Sequence, residues 1–499
     1  MKPGLLTLVL PPILPFMRRF MRPFMLRRML FVLPPLVLAC WCSLGGAAWG
    51  QTLPAEVSAA LTRAKVPREA VSLLVVDAEG RQMPRLSHRV GAAMNPASVM
   101  KLVTTFAALD LLGPAYTWRT PVYVEGAVRD GTLYGNLHFK GQGDPKLVAE
   151  RLWLLLRRVQ GLGIHTIAGD IVLDRSAFEL ARSDAASFDG EPLRPYNTAA
   201  DALLLNFKSV TMTFTPDVTA GLAQVQFEPH LAGVQLQTQV PLSKGDCSDY
   251  RATLQADFAD ANRLRFAGAY PASCGEKVWS VAYIDPDSFN VRAVQGLWQE
   301  LGGRLGGRVR EGTAPASAPV FEFASPPLAE VIREINKFSN NVMAQQLFLT
   351  LSLPPPPASL PRATVDASRE VLRRWWSARI SANDLPVFDN GSGLSRDGRI
   401  SAQGLGQLLQ TAYRSPLMPE LMASLPITGV DGTQKRSQAI ATGRAHLKTG
   451  SLKDVNALAG YVHGASGKRY VLVALVNHTN ANAARPVLNA LVDWAVNDN

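Results

Sequence analysis

Asn95-Pro96-Ala97-Ser98-Val99-Met100-Lys101-Leu102-Val103-Thr104-Thr105 opens the strongest helix signal in this 499-residue chain. Asn95 is a good N-cap, Pro96 suits the first helical position, and Gly113-Pro114 makes a firm stop. Val99, Leu102, Val103, Phe106, Ala107 and Leu109 leave the segment apolar nearly all round, which predicts a central, buried helix. Ser98 and Lys101 stand three residues apart and therefore share a face. A serine hydroxyl is a poor nucleophile until a base takes its proton, and a neutral lysine can be that base. Burial, or a second cation nearby, pushes a lysine toward neutrality. Ser98 also falls in the first turn, where free N–H groups and the helix dipole favour a developing oxyanion. Taken alone, the pair is equally well explained as a core helix with a snorkelling lysine.

Outward from this helix, residues 53 to 65 read as a helix and Val71 to Asp77 as a buried strand, with a turn at Ala78-Glu79-Gly80-Arg81. From about residue 121 to 314 the texture changes to short alternating segments punctuated by Gly, Pro and Asp, which predicts an inserted β-rich region of one or two subdomains. A Pro/Ala/Ser stretch, Gly312 to Pro319, reads as the linker out of it. Helical patterning returns at Pro326 to Lys337 and at Asn340 to Leu351. Leu353-Pro354-Pro355-Pro356-Pro357 cannot be helix interior and reads as a loop. Ala445 to Gly450, Asn456 to His463 and Arg469 to Asn477 predict a β-meander, followed by a helix over Asn482 to Val496. The expected architecture is α+β: an antiparallel sheet flanked by helices, built from 51–120 and 320–499, with 121–314 inserted.

The first fifty residues stand apart. They carry Lys2, Arg18, Arg19, Arg22, Arg27 and Arg28 with no acid, then an apolar run from Met29 to Ala39. That run is short for a permanent membrane span, and Ala48-Trp49-Gly50 resembles a cleavage site, so residues 1–50 read as a secretory signal. Met25 and Met29 are alternative starts, and Val37-Leu38-Ala39-Cys40 offers lipoprotein processing as the rival route. Of the formal charge of +11, six belong to this leader. The remaining +5 is scattered, which argues against a nucleic-acid partner and suits an anionic wall polymer. Beyond the leader only Cys247 and Cys274 remain, an isolated pair that in an exported chain reads as a disulfide. Neither has Cys or His neighbours at metal-ligand spacing.

Two further motifs complete a set. Ser339-Asn340-Asn341 stands at a helix start, where it could be a plain N-cap. Lys448-Thr449-Gly450 stands on a strand, where it could be a solvated lysine beside a turn glycine. Ser-x-x-Lys, Ser-x-Asn and Lys-Thr-Gly in this order are the signature of penicillin-binding proteins and class A β-lactamases. Gly141-Gln142-Gly143-Asp144-Pro145, Asp389-Asn390-Gly391-Ser392-Gly393-Leu394-Ser395-Arg396 and Leu425 to Thr433 extend the likeness. The chain resembles the low-molecular-weight D-Ala-D-Ala carboxypeptidase/endopeptidases with a large insertion after the Ser-x-x-Lys helix. It departs at Asn390, which interrupts the usual Asp-Gly-Ser-Gly, and at Ser451, where threonine is common.

The resemblance implies roles. Ser98 would be the nucleophile and Lys101 its base. Ser339 would relay a proton to the leaving amine, and Asn341 would hold the substrate amide. Lys448, Thr449, Gly450 and Ser451 would bind the terminal carboxylate and supply part of the oxyanion hole. No metal or cofactor is required. Expected partners are peptidoglycan stems ending in D-Ala-D-Ala, with β-lactams as inhibitors, in an exported, periplasmic setting. A β-lactamase and a catalytically inert wall-binding protein are the alternatives. Against the first stand the 241-residue separation of Ser98 from Ser339 and the lack of a Glu-x-x-Leu-Asn element; against the second, every motif residue is present.

Overall fold

The computed structural model describes residues 52–353, 362–437 and 439–498. The expected leader, with its alternative cleavage and lipoprotein-processing sites, and the expected proline loop at 354–357 lie outside these residues. Val71–Asp77 is buried along six of its seven positions, as its largely apolar run predicts, with Ser72 the one polar residue among them. Leu73 and Val75 face one apolar core while Leu74 and Val76 face another, so this strand is packed on both sides. It sits inside a five-stranded antiparallel sheet, ordered Ala445–Leu452, Val455–His463, Arg469–Asn477, Val71–Asp77, Leu86–His88. The first and last helices, Ala55–Ala64 and Arg485–Val496, cover one face through Val57, Leu61, Val487 and Leu491. The helix Lys101–Leu112 covers the other, together with Leu328–Phe338, Asn341–Thr350, Val365–Arg379 and Ala402–Tyr413. This is the α+β sheet-and-helix core expected from the sequence. The turn at Ala78 to Arg81, the meander and the last helix also fall where expected, the helix preceded by a short turn at Ala481–Ala484.

Around a third core, from Val122 to Phe321, pack the short strands of the middle region. The chain enters along Arg119–Arg129 and leaves along Phe321–Ala324, and these two strands pair antiparallel with Val122 opposite Phe321. Three helices also lie in this β-rich region, Ala149–Gln160, Tyr250–Leu254 and Pro286–Glu300. Cys247 and Cys274 are bonded, with Cα atoms 4.8 Å apart.

The start of the nucleophile helix differs from its reading. Asn95 does not cap it: the Asn95 side chain instead accepts the Ala97 N–H at 2.8 Å, a local Asx turn. Ala97 takes φ +46°, and a 3₁₀ turn over Ala97–Met100 precedes the α-helix proper. Asn95 is held in place from outside the helix. Its N–H donates to Asn477 Oδ1 at 2.8 Å and its Nδ2 to the Ser395 carbonyl at 2.9 Å, so tertiary partners override the local cap.

Candidate active site

Ser98 lies in that 3₁₀ turn, and Lys101, one turn on, is completely buried. Lys101 Nζ is 3.0 Å from Ser98 Oγ, 2.6 Å from Asn341 Oδ1 and 2.6 Å from the Ser392 carbonyl oxygen. Among the described residues no carboxylate pairs with it. Burial drives its pKa well below the usual lysine value, and the charge of Lys448 adds to the effect. A neutral amine has two hydrogens and one lone pair. Asn341 Oδ1 and the Ser392 carbonyl can only accept, so they take the hydrogens and leave the lone pair facing the Ser98 hydroxyl.

Asn341 is in position because Asn340, not Ser339, caps its helix: Asn340 Oδ1 accepts the Met343 N–H at 3.0 Å. Ser339 is the left-handed residue (φ +57°) that ends the preceding helix, and its hydroxyl turns back toward Lys448. Lys448 Nζ donates to Ser339 Oγ at 2.8 Å and to the Thr449 carbonyl at 2.7 Å. The sequence left open a solvated lysine beside a turn glycine. Lys448 instead lies fully buried within the strand Ala445–Leu452, and burial lowers its pKa to about 7. Its reach toward the cleft passes through the Ser339 hydroxyl.

Thr449 offers a half-exposed hydroxyl, paired at 2.8 Å with that of Thr433. Gly450 lets the strand lie against the nucleophile turn, since a Cβ there would stand 2.5 Å from the Pro96 carbonyl oxygen and 3.1 Å from the Ser98 nitrogen. Ser451 lines the same cavity as Ser98, Ser339 and Asn341, a cleft of about 1530 Å³ that runs on into the inserted region. The motif residues therefore meet around one cleft, while Cys247 and Cys274 sit within the insertion.

Ser392 was missed as a working part, although its stretch had been singled out. The departing Asn390 explains how it is aimed. Asn390 Oδ1 accepts from both the backbone and the hydroxyl of Ser392, at 3.0 and 2.8 Å, and Asn390 Nδ2 donates to the Leu394 carbonyl at 2.8 Å. These bonds fix the turn that points the Ser392 carbonyl at Lys101.

The profile of the D-Ala-D-Ala carboxypeptidase 3 (S13) peptidase family matches residues 53–498. The chain belongs to this family. As an S13 peptidase it is a serine-type hydrolase of the D-Ala-D-Ala carboxypeptidase class. It is 26% identical over 398 residues to the D-alanyl-D-alanine carboxypeptidase DacB of Haemophilus influenzae, covering 77% of this chain and 80% of that one. With the D-alanyl-D-alanine carboxypeptidase of Actinomadura sp. strain R39 it shares 27% identity over 435 residues, 83% and 78% of the two chains. Its fold is that of penicillin binding protein 4 from H. influenzae, with a TM-score of 0.67 at 23% identity, over 87% of this S13 peptidase and 99% of the other chain.

Proposed function

We propose that this S13 peptidase hydrolyses the D-Ala-D-Ala bond at peptidoglycan stem ends, and the equivalent bond in cross-links, through an acyl-Ser98 intermediate that β-lactams trap. The observation that carries the reading is Lys101: buried, paired with no carboxylate among the described residues, and hydrogen-bonded to Asn341 and Ser392 so that a free lone pair meets Ser98 Oγ.

Lys101 takes the hydroxyl proton as Oγ bonds to the carbonyl carbon of the penultimate D-alanine. The N–H groups of Ser98 and Ser451 face the oxygen that gains charge. As the C–N bond breaks, Ser339 passes a proton to the departing amine and is resupplied by Lys448, 2.8 Å away. The proton that Lys101 took in the first step makes good, through solvent, the one Lys448 gave up. A neutral Lys101 then accepts a proton from the water that attacks the ester and returns it to Ser98 Oγ as the acyl bond breaks. Thr449 hydrogen-bonds the terminal carboxylate and Asn341 the peptide amide. The basic leader and apolar run support export to the periplasm, where this polymer lies; among the described residues no helix is long and apolar enough to cross a membrane.

Fluorescent penicillin should label the wild-type protein and leave Ser98→Ala unlabelled, and only the wild type should release D-alanine from a pentapeptide stem. Equal labelling of the two proteins removes Ser98 from its role.

A further inference from the structure

The cleft over Ser98 is larger than two alanines need. Small-molecule pockets usually enclose roughly 300–1,000 Å³, and this one holds about 1530 Å³. The extra volume lies over the inserted region. Its floor is the outward face of the sheet made by Ser209–Asp217, Leu222–Glu228 and Lys277–Ala282. The inward residues Met212, Phe214 and Val225 fill the core below, so the alternating outward ones, Thr211, Gln226, Glu228 and Ser280, face the cavity. They form a row of hydroxyl, amide and carboxylate groups, with Thr211 Oγ1 and Ser280 Oγ 2.9 Å apart and Gln226 Nε2 bonded to Glu228 at 2.7 Å.

Trp153, from the helix Ala149–Gln160, lines the same arm and keeps 42% of its surface exposed. The Arg157 guanidinium stands over its ring, 5.8 Å from the centroid. Between this arm and Ser98 the chain makes a left-handed turn without glycine: Asn206, Phe207 and Lys208 take φ of +41°, +54° and +47°. Left-handed backbone is disfavoured for residues that carry a side chain. It is held by the buried Lys208–Asp201 ion pair at 2.7 Å and by Asn206, which accepts the Ala149 N–H and donates to the Ser209 carbonyl. Asn206 and Phe207 both line the cleft, so a strained, braced turn joins its two arms.

We propose that this arm is a saccharide subsite, which holds the glycan strand from which the stem peptide hangs while Ser98 works on the peptide's end. The inference rests on the peptidoglycan-hydrolase reading above. An exposed indole beside a row of hydroxyl, amide and carboxylate groups suits a neutral polyol, whose C–H faces stack on the ring and whose hydroxyls pair with the row. Glu150, Glu228 and Glu300 line the arm; of its cations Lys146 is already paired with Glu334 and Arg157 is taken up over the Trp153 ring, while Arg396 and Lys453 line the cleft with Leu394 and Ser451. That acidic balance disfavours phosphate polymers and a second, carboxylate-bearing stem peptide as occupants.

Trp153→Ala and Gln226→Ala change exposed side chains outside the hydrolytic machinery. Each should leave the rate of penicillin acylation and kcat/KM for a free pentapeptide unchanged. Each should raise KM for glycan-linked pentapeptide chains roughly tenfold, as loss of one stacking or hydrogen-bonding contact would. Calorimetry with peptide-free glycan strands should show binding to the wild type that both variants weaken. Equal KM on free and glycan-linked stems in the wild type, no binding of peptide-free strands, or equal loss on a glycan-free cross-linked peptide dimer each overturns the subsite. A wild type that binds the strands yet cleaves no stem overturns the hydrolase reading and leaves the subsite standing.

Discussion

Lys448 is buried, among the described residues it has no carboxylate partner, and its neighbours are a hydroxyl and a carbonyl. Its folded pKa of about 7 lies below the 10.5 of an unfolded lysine. Between these values the unfolded chain binds more protons, so this residue's contribution to stability rises with pH from about 7 and levels off near 10.5; as pH falls through 7 it is lost. Lys448→Met keeps the volume and removes the titration. The variant should gain stability over wild type near pH 7, the gap should narrow as pH rises, and β-lactam acylation should slow on the order of 10²-fold with the proton relay gone. Denaturant melts of both proteins from pH 6 to 9 check the first part and acylation kinetics the second; parallel melts would show that Lys448 is not the titrating group. The sequence disclosed Ser98 and Lys101 because a shared helix face depends only on spacing. It could not disclose the depth of Lys448, nor the Ser392 carbonyl, since both follow from how distant segments pack.

At the scale of elements, the core was read well where periodicity is plain. Most of Val71–Asp77, Tyr470 to Val476 and Lys101 to Leu109 is buried, and these stretches are accordingly apolar with few polar residues. The helix Ala149–Gln160 carries an equally clear stripe, with Leu152, Leu155, Leu156 and Val159 buried at helical spacing, yet it was submerged in a region read as strands. The distorted start of the nucleophile helix was illegible for another reason: the Ala97 backbone is set by its neighbours, not by its own preference. Gly450 shows how closely those neighbours approach. Gly450→Ala would drive a methyl against the Pro96 carbonyl, and overpacking of this kind costs about 1–3 kcal/mol. The variant should therefore melt earlier and acylate more slowly, because the push falls on the turn that carries Ser98. An unchanged melting temperature would mean that the strand can step back freely.

Over the whole molecule, three apolar cores divide the work. Two hold the central sheet between its helices, and the third holds the middle region together. The disulfide belongs to the third, closing a sequence separation of 27 residues. Its loss should cost about 3 kcal/mol in the chain-entropy account. The double variant Cys247→Ala/Cys274→Ala should unfold more readily in denaturant while its penicillin acylation rate stays at the wild-type value, since neither cysteine approaches Ser98's cleft. Acylation falling in step with stability would show that the middle region and the motif cleft respond as one.

The pairing of Val71–Asp77 with Arg469–Asn477 has a consequence in time. A ribosome makes Ser98 and Lys101 nearly four hundred residues before the strand that completes their sheet, and Lys448 arrives almost as late. The middle region closes on itself, entry strand against exit strand, and needs nothing synthesised after Ala324 for that pairing. Wall-cutting chemistry is thus written early in the chain and armed last. A nascent or prematurely terminated copy that lacks the final meander carries Ser98 and Lys101 but neither the completed sheet nor the second lysine, Lys448.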